Sequence, residues 1–555
     1  TSFAAQGWAE EDGTWVYYDR NGDRVTDKWA KSGNNWYYLD SDGEMAIDTL
    51  IEDGDKYYYV DVNGVMVTNQ WVAIENEDAG NDNEPDEYWY YFQSNGKALK
   101  GPDDNSVSLK TVNGKKYAFT SEGKMLYGWV DASDATIIND DDDAWQRGDY
   151  YFGDQNDGAM TVGWKLLDIT DDNATSGTNG NNWIQTAFND DEDQSRWFYF
   201  KSNGKKQTAS SGDTELKQKT INGKKYAFDQ YGAMTAEWSL DKDEITDKAS
   251  SSNPIPASNS SAGSVDVDAK YAQQWRYFNS VEDGSRVSKG WFKVVSAEYL
   301  NDDKYNDDED SWYYADGSGN LYAGEFKTIK GKKYAFRNDG RMIDGLKFIN
   351  PDDLTKVYAD DDSDHPFDTE DDFIDSALWY AANGYNCYYF GDGNDGAMKT
   401  NKTNITIDGD NFNFYFEKSG SSKGAGVNGE KDDKYYLGGM LLKAGSDDKY
   451  QAIEKVEENE VETWVKLADA QAVIKKFDLT SDTSKIEEAK KAASSFNKKA
   501  DDLKELYILP EENNNLKLIN TSGKVIDKKG KSKDGNDYVY VTDNKGVIRV
   551  IYVEN

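Results

Sequence analysis

A chain of 555 residues with 63 Lys and Arg against 104 Asp and Glu carries a formal charge of −41, which argues against nucleic acid and anionic membrane surfaces as partners, since both reward basic clusters. No apolar run approaches the ~20 residues that span a bilayer, so no membrane insertion is expected; any secretion signal has been removed or was never present. One cysteine, Cys387, excludes an internal disulfide, and one histidine, His365, leaves almost nothing for histidine-based catalysis or a zinc site.

The first three units, "GWAEEDGTWVYYDRNGDRVTDKW", "KWAKSGNNWYYLDSDGEMAIDTL" and "TLIEDGDKYYYVDVNGVMVTNQW", start at Gly7, Lys28 and Thr49. Each holds an aromatic strand, an Asn-Gly or Asp-Gly turn and a short second strand, and reads as a β-hairpin. Further aromatic strands follow at Trp89, Lys116, Tyr150, Trp197, Lys225, Trp275, Trp312, Lys333, Cys387, Phe414 and Lys434, for about fourteen hairpins in all. A lone hairpin is marginal in water, so these units are expected to stack into a mainly β, elongated solenoid.

Acidic insertions precede Trp89, Tyr150, Trp197, Trp312 and Cys387, always at the same place in the repeat, which maps them to one face. The stretch "GKKYAF" recurs at Gly114, Gly223 and Gly331 without an insertion, giving a super-repeat of about 108 residues. The expected organisation is three regular hairpins over 1–72, a solenoid with insertions over 73–443, a helical segment over 444–510 and a terminal hairpin or cap over 511–555, the last two forming a small α+β region. The helical reading rests on Ile453, Val456, Val461, Trp464, Val465 and Leu467 at near-helical spacing, and on a second such run after Ser484.

The residues Gly7-Trp8, "WVYY" at Trp15, Asn21-Gly22, Trp29, "WYY" at Trp36 and "DGEM" at Asp42 resemble the cell-wall-binding repeats of Gram-positive surface proteins. That group includes the choline-binding modules of pneumococcal autolysins and the glucan-binding repeats of streptococcal glucosyltransferases; related repeats end the large clostridial toxins. The resemblance runs over roughly residues 7–440. It implies a secreted, non-catalytic protein at the cell surface or wall of a Gram-positive bacterium, whose partners are choline groups of wall polymer, or glucan and other oligosaccharides. In choline-binding members, two aromatic residues of one hairpin and a third from its neighbour cage a quaternary ammonium by cation–π attraction. Carried over, the pairs are Trp8 with Trp15 and Trp29 with Trp36, then, across insertions, Trp71 with Trp89, Trp164 with Trp197, Trp238 with Trp275 and Trp291 with Trp312. Leu50 with Tyr57, and Leu109, Leu216 or Phe326 at the head of each "KYAF" hairpin, depart from the pattern, so those junctions are expected to lack a complete cage, and the "KYAF" hairpins read as spacers.

The clusters at 139–143 and 306–310 offer Asp140, Asp141, Asp142, Asp307, Asp308 and Asp310 as oxygen ligands, for which Ca²⁺ is the fitting cation, although neither matches a calcium-loop motif. The run 168–182 has similar character. No catalytic motif is present and no enzyme is expected; Cys387 stands where sister strands have Trp and reads as an apolar substitute. Two other functions fit the residues: a surface fibre in which copies of the chain assemble through cation-bridged acidic loops, and an adhesin for host glycans.

Overall fold

The computed structural model describes residues 6–169, 183–185, 194–209, 217–241, 267–298 and 300–555. Within them the chain is mainly β, and it divides into two compact units, one of residues up to 241 with 275–287, the other of 267–274 with 288–555.

The first unit is a succession of antiparallel pairs. Gly7–Glu11 pairs with Thr14–Tyr18, Lys28–Ser32 with Asn35–Leu39, Thr49–Asp53 with Lys56–Val60, and Gln70–Glu75 with Glu87–Phe92. The framing differs from the one expected. Each aromatic strand pairs with the Trp- or Leu-bearing strand before it, across a turn such as Asp12-Gly13, where both residues have positive φ (51° and 83°) as a type I′ hairpin requires. The later Asn-Gly and Asp-Gly signals lie in the connectors instead. There an aspartate folds the chain on its own carboxylate: Asp40 accepts from Asp42 N and Glu44 N, both at 2.9 Å.

The connectors hold the stack together. After such a turn one residue, most often a methionine, forms a bridge to its own aromatic strand, as in Leu39 with Met45 and Phe119 with Met125; Arg24, Ala98, Lys206 and Leu321 take the place in other connectors. The methionine's backbone N–H donates to the preceding hairpin: Met45 to Trp15 O at 2.7 Å, Met66 to Trp36 O at 2.8 Å and Met125 to Trp89 O at 2.8 Å. Buried rings therefore lie between successive hairpins, which bury together what none could bury alone.

The super-repeat consists of three kinds of hairpin in fixed order. A two-stranded hairpin with a Trp on each strand comes first (Gln70–Glu75/Glu87–Phe92, then Gly163–Ile169/Gln194–Phe200, then Gly290–Val295/Asp310–Ala315). A "KYAF" hairpin follows, turned by Asn113-Gly114, Asn222-Gly223 or Lys330-Gly331. Third comes a hairpin that gains an extra strand: Asp134–Ile137 beside Gly128–Asp131 and Asp353–Tyr358 beside Leu346–Asn350 come from the hairpin's own insertion, whereas Trp183–Gln185 beside Glu237–Asp241 comes from the insertion of the two-stranded Gly163–Ile169/Gln194–Phe200 hairpin.

In the second unit the last insertion also supplies the helix Glu370–Ala382, capped by Thr369, whose hydroxyl accepts from Asp372 N at 3.1 Å. Phe373, Ala377 and Tyr380 pack it onto Phe348, Phe414 and Leu437. His365 stacks on Trp379, with centroids 3.7 Å apart, and Cys387 is buried in the same core.

The helical segment expected over 444–510 needs correction. Its first stripe is a strand pair, Tyr450–Glu458 with Val461–Lys466, joined on its other edge by Leu516–Asn520. Asn459 and Glu460 have φ of 51° and 64° and close a hairpin turn, so the apolar spacing spanned two strands of period two. Helices are confined to Ala470–Lys476, capped by Asp469, and Ile486–Ala492; Leu503–Ile508 joins a four-stranded sheet with Gly530–Lys533, Tyr538–Thr542 and Ile548–Glu554. Among the described residues no helix is long and apolar enough to cross a membrane.

Candidate aromatic cages

The connector geometry brings four side chains to one place between neighbouring hairpins. In the first, Trp8 and Trp15 meet Tyr37 and Met45 of the next hairpin around a cavity of about 340 Å³, with Ser32 and Asn63 at its edge. In the second, Trp29 and Trp36 meet Tyr58 and Met66 around about 580 Å³, edged by Asn34, Asn35 and Ser94. The tyrosine stands edge-on to the leading tryptophan: centroids are 5.4 Å apart at 72° for Trp8 and Tyr37, and 5.0 Å at 64° for Trp29 and Tyr58. Trp15 and Trp36 are exposed, at 44% and 40%, and the Lys31 amine lies 5.7 Å from the Trp36 ring centroid.

The same arrangement recurs three times in the super-repeat. Trp71, Trp164 and Trp291 each meet the tyrosine of the following "KYAF" hairpin, Tyr117, Tyr226 and Tyr334, at 4.8 Å and 61° or 62°. The phenylalanines two residues on, Phe119, Phe228 and Phe336, stack on the same indoles at 5.9, 5.7 and 5.7 Å. Trp89, Trp197 and Trp312 pack at these clusters with Met125, Met234 and Met342, and remain part-exposed. The "KYAF" hairpins are therefore more than spacers, because each supplies the tyrosine and phenylalanine that pack on the leading tryptophan of the hairpin before it. The third ring and the methionine were not singled out from the sequence; the N/D-G-x-M pattern, set in register with the aromatic strand, was the signal for both.

Negative charge gathers at the cages. Asp53 accepts from Trp29 Nε1 at 3.3 Å. Asp157 and Asp283, on connectors two hairpins along, lie beside Tyr117 and Tyr226, and Asp395 beside Tyr334; burial and then these carboxylates push the three phenols up. Lys115 and Lys224 approach Asp157 and Asp283 at 3.8 and 3.9 Å, wide exposed pairs that leave the carboxylates largely solvated. Part-exposed rings with electron-rich faces, a soft methionine wall and nearby carboxylates suit a small organic cation.

Two tryptophan positions are shut. Trp238 and Trp275 stand 6.3 Å apart but are 3% and 0% exposed, so this expected pair offers no open face. Trp129 is closed by Trp145 and Lys206, both from outside its own strand pair. The acidic clusters do not converge: Asp140, Asp141 and Asp142 are exposed, Asp141 pairs with Arg147 at 2.6 Å, and Asp307, Asp308 and Asp310 are exposed along a turn and strand start. Among the described residues no three acidic, histidine or cysteine side chains are grouped to hold a metal ion. Nearly all of 168–182 lies outside the described residues.

Residues 5–49 and 25–71 match the family model of a choline-binding repeat, and residues 86–98 that of a cell wall binding repeat. Among solved structures, the modular autolysin LytC of Streptococcus pneumoniae is 17% identical, with 62% of this chain and 54% of that chain covered and a TM-score of 0.29. Choline binding protein F of S. pneumoniae is 19% identical over 80% of this chain and 100% of its own, with a TM-score of 0.22. The choline binding domain of Spr1274 of S. pneumoniae is 27% identical over 17% of this chain and 95% of its own, with a TM-score of 0.13. The chain thus spans about half the length of the autolysin it matches. No curated protein sequence matches it.

Proposed function

We propose that this chain, a choline-binding cell-wall repeat protein by its first hundred residues, is a non-catalytic surface module that holds choline groups of Gram-positive wall polymer in its open cages. The observation that carries this reading is the recurrence of one constellation, Trp, Trp, Tyr and Met, at five junctions. A quaternary ammonium has no N–H to satisfy and is cheaply stripped of water, so ring faces suffice to hold it, at about 0.5–2 kcal/mol per cation–π contact. Single sites of that strength are weak, and five on one chain give avidity for a polymer bearing many choline groups. The −41 charge favours the ammonium and opposes the polymer's phosphates, so attachment to wall is expected to tighten as salt screens that repulsion.

Isothermal titration with choline chloride, with an α-glucan in a parallel cell, tests the proposal. Saturable heat at millimolar choline that is reduced, with two sites of the five removed, when Trp36 and Trp89 are replaced by Ala supports it. Heat with the glucan alone reassigns the cages to sugar, and silence with both ends the reading.

A further inference from the structure

Lys206 occupies the register position that methionine holds at the cages: its bridge to Phe200 repeats those of Met125 with Phe119, Met234 with Phe228 and Met342 with Phe336. Its backbone N–H donates to Asp149 O at 2.8 Å, as Met125 does to Trp89 O, so Asp149 stands where a cage has its second tryptophan. Trp129 fills the leading tryptophan's place, and Phe198 the tyrosine's, edge-on at 5.2 Å and 76°. Into this frame the lysine stem folds inward. Its amine lies 5.3 Å from the Trp129 ring centroid and donates to Trp145 O at 2.7 Å and Gln146 O at 2.9 Å, carbonyls of the short helix Ala144–Arg147. The residue is 6% exposed.

We infer that the Trp129 junction is a further cage of the same design, already occupied by the chain's own amine, with Lys206 as a tethered ligand that shuts it to cations from solution. The chemistry differs from the open cages in one respect that the structure explains. A primary amine must satisfy its N–H groups, and here, unlike at the other described junctions, an insertion places two backbone carbonyls within reach of the amine. The first two open cages keep a solvent-facing gap between hairpins, whereas here the lysine fills the frame and fastens the hairpin at 128–152 to that at 163–200. The inference rests on the cage reading above, and its test is separable from it.

Lys206→Ala in the full chain removes the amine and leaves the frame. The probe is propylammonium chloride, a free copy of the lost group, with sodium chloride at equal ionic strength as reference and Lys206→Met as control. The expected result is a lowered Tm for Lys206→Ala, raised by propylammonium by several degrees more than that of the wild type or of Lys206→Met, where methionine fills the space. Tetramethylammonium, which has no N–H for the two carbonyls, is expected to rescue less. Should Lys206→Ala fail to fold unaided, refolding yield in propylammonium against sodium chloride reads the same quantity. Equal shifts in all three proteins, or equal yields in the two salts, would overturn the inference while leaving choline binding by the wild type untouched; loss of the latter would instead strike the cage reading.

Discussion

The two-stranded hairpins and the three-stranded ones are built from the same strands and differ in what their insertions do. Before Trp89 the insertion leaves the hairpin edge free, and Trp71 with Trp89 stays part-exposed. Before Tyr150 the insertion returns as Asp134–Ile137, pairs with Gly128–Asp131, and delivers Trp145 and two carbonyls onto the junction. The tryptophan at the head of the hairpin is common to both; solvent access is not. A leading Trp thus marks a position in the repeat, and its second-strand partner together with the insertion decides whether that position is open to solvent or closed.

The largest expected effect comes from emptying an open cage. Trp29→Ala removes the wall shared by Trp36, Tyr58 and Met66, and choline affinity at that site is expected to fall about thirtyfold, the equivalent of ~2 kcal/mol; Trp238→Ala, at a closed position, is expected to leave choline affinity unchanged and to lower Tm. Titration of both variants checks the contrast. Next is the protonation of the closed junction. Burial pulls the Lys206 amine down to about 7, against the opposing charges of Asp229 and Asp149, and pushes the Asp229 carboxyl up to about 6. An amine depressed in the folded state binds more protons unfolded, so its contribution to stability rises as pH goes from about 7 toward its ordinary 10.5, at ~1.4 kcal/mol per pH unit. Asp229 acts in the other sense: the folded state holds its proton more tightly between its ordinary 3.8 and about 6, and stability falls as pH rises through that window. Urea midpoints at pH 7 and pH 9 are expected to separate for the wild type and to coincide for Lys206→Met.

Smaller effects sharpen the role of the "KYAF" hairpins. Tyr117→Ala is expected to weaken choline binding at the Trp71 cage about fivefold, since one ring of three is lost. Asp157→Asn is expected to change it about twofold, because an exposed carboxylate acts through screened attraction. Tryptophan fluorescence titration resolves both, and an effect of Asp157→Asn larger than that of Tyr117→Ala would reverse the balance drawn here between rings and charge.

The hairpin stack was legible because aromatic strands alternating with Gly-bearing turns leave few alternatives. Two features misled. The later pairs of the opening units, Asn21-Gly22, Asp42-Gly43 and Asn63-Gly64, mark connectors, while Asp12-Gly13 closes a hairpin, since an Asx turn and a hairpin turn draw on the same residues. The apolar spacing from Ile453 to Leu467 spans a turn at Asn459-Glu460 whose left-handed backbone a periodicity count does not register. The helix Glu370–Ala382 was hidden in an acidic tract, although Thr369 with Asp372 is a capping pattern. At the cages, the tryptophans were readable and their openness was not: whether Trp129 or Trp36 meets solvent depends on where a loop returns and on a lysine 77 residues beyond Trp129 in the chain.

The most direct measurement is calorimetric titration of choline into the wild-type chain and into a variant in which Trp15, Trp36, Trp89, Trp197 and Trp312 are all Ala. The account predicts saturable millimolar binding by the wild type and its loss in the variant, with far-ultraviolet circular dichroism unchanged. Binding retained by the variant, or absent from the wild type, would contradict it.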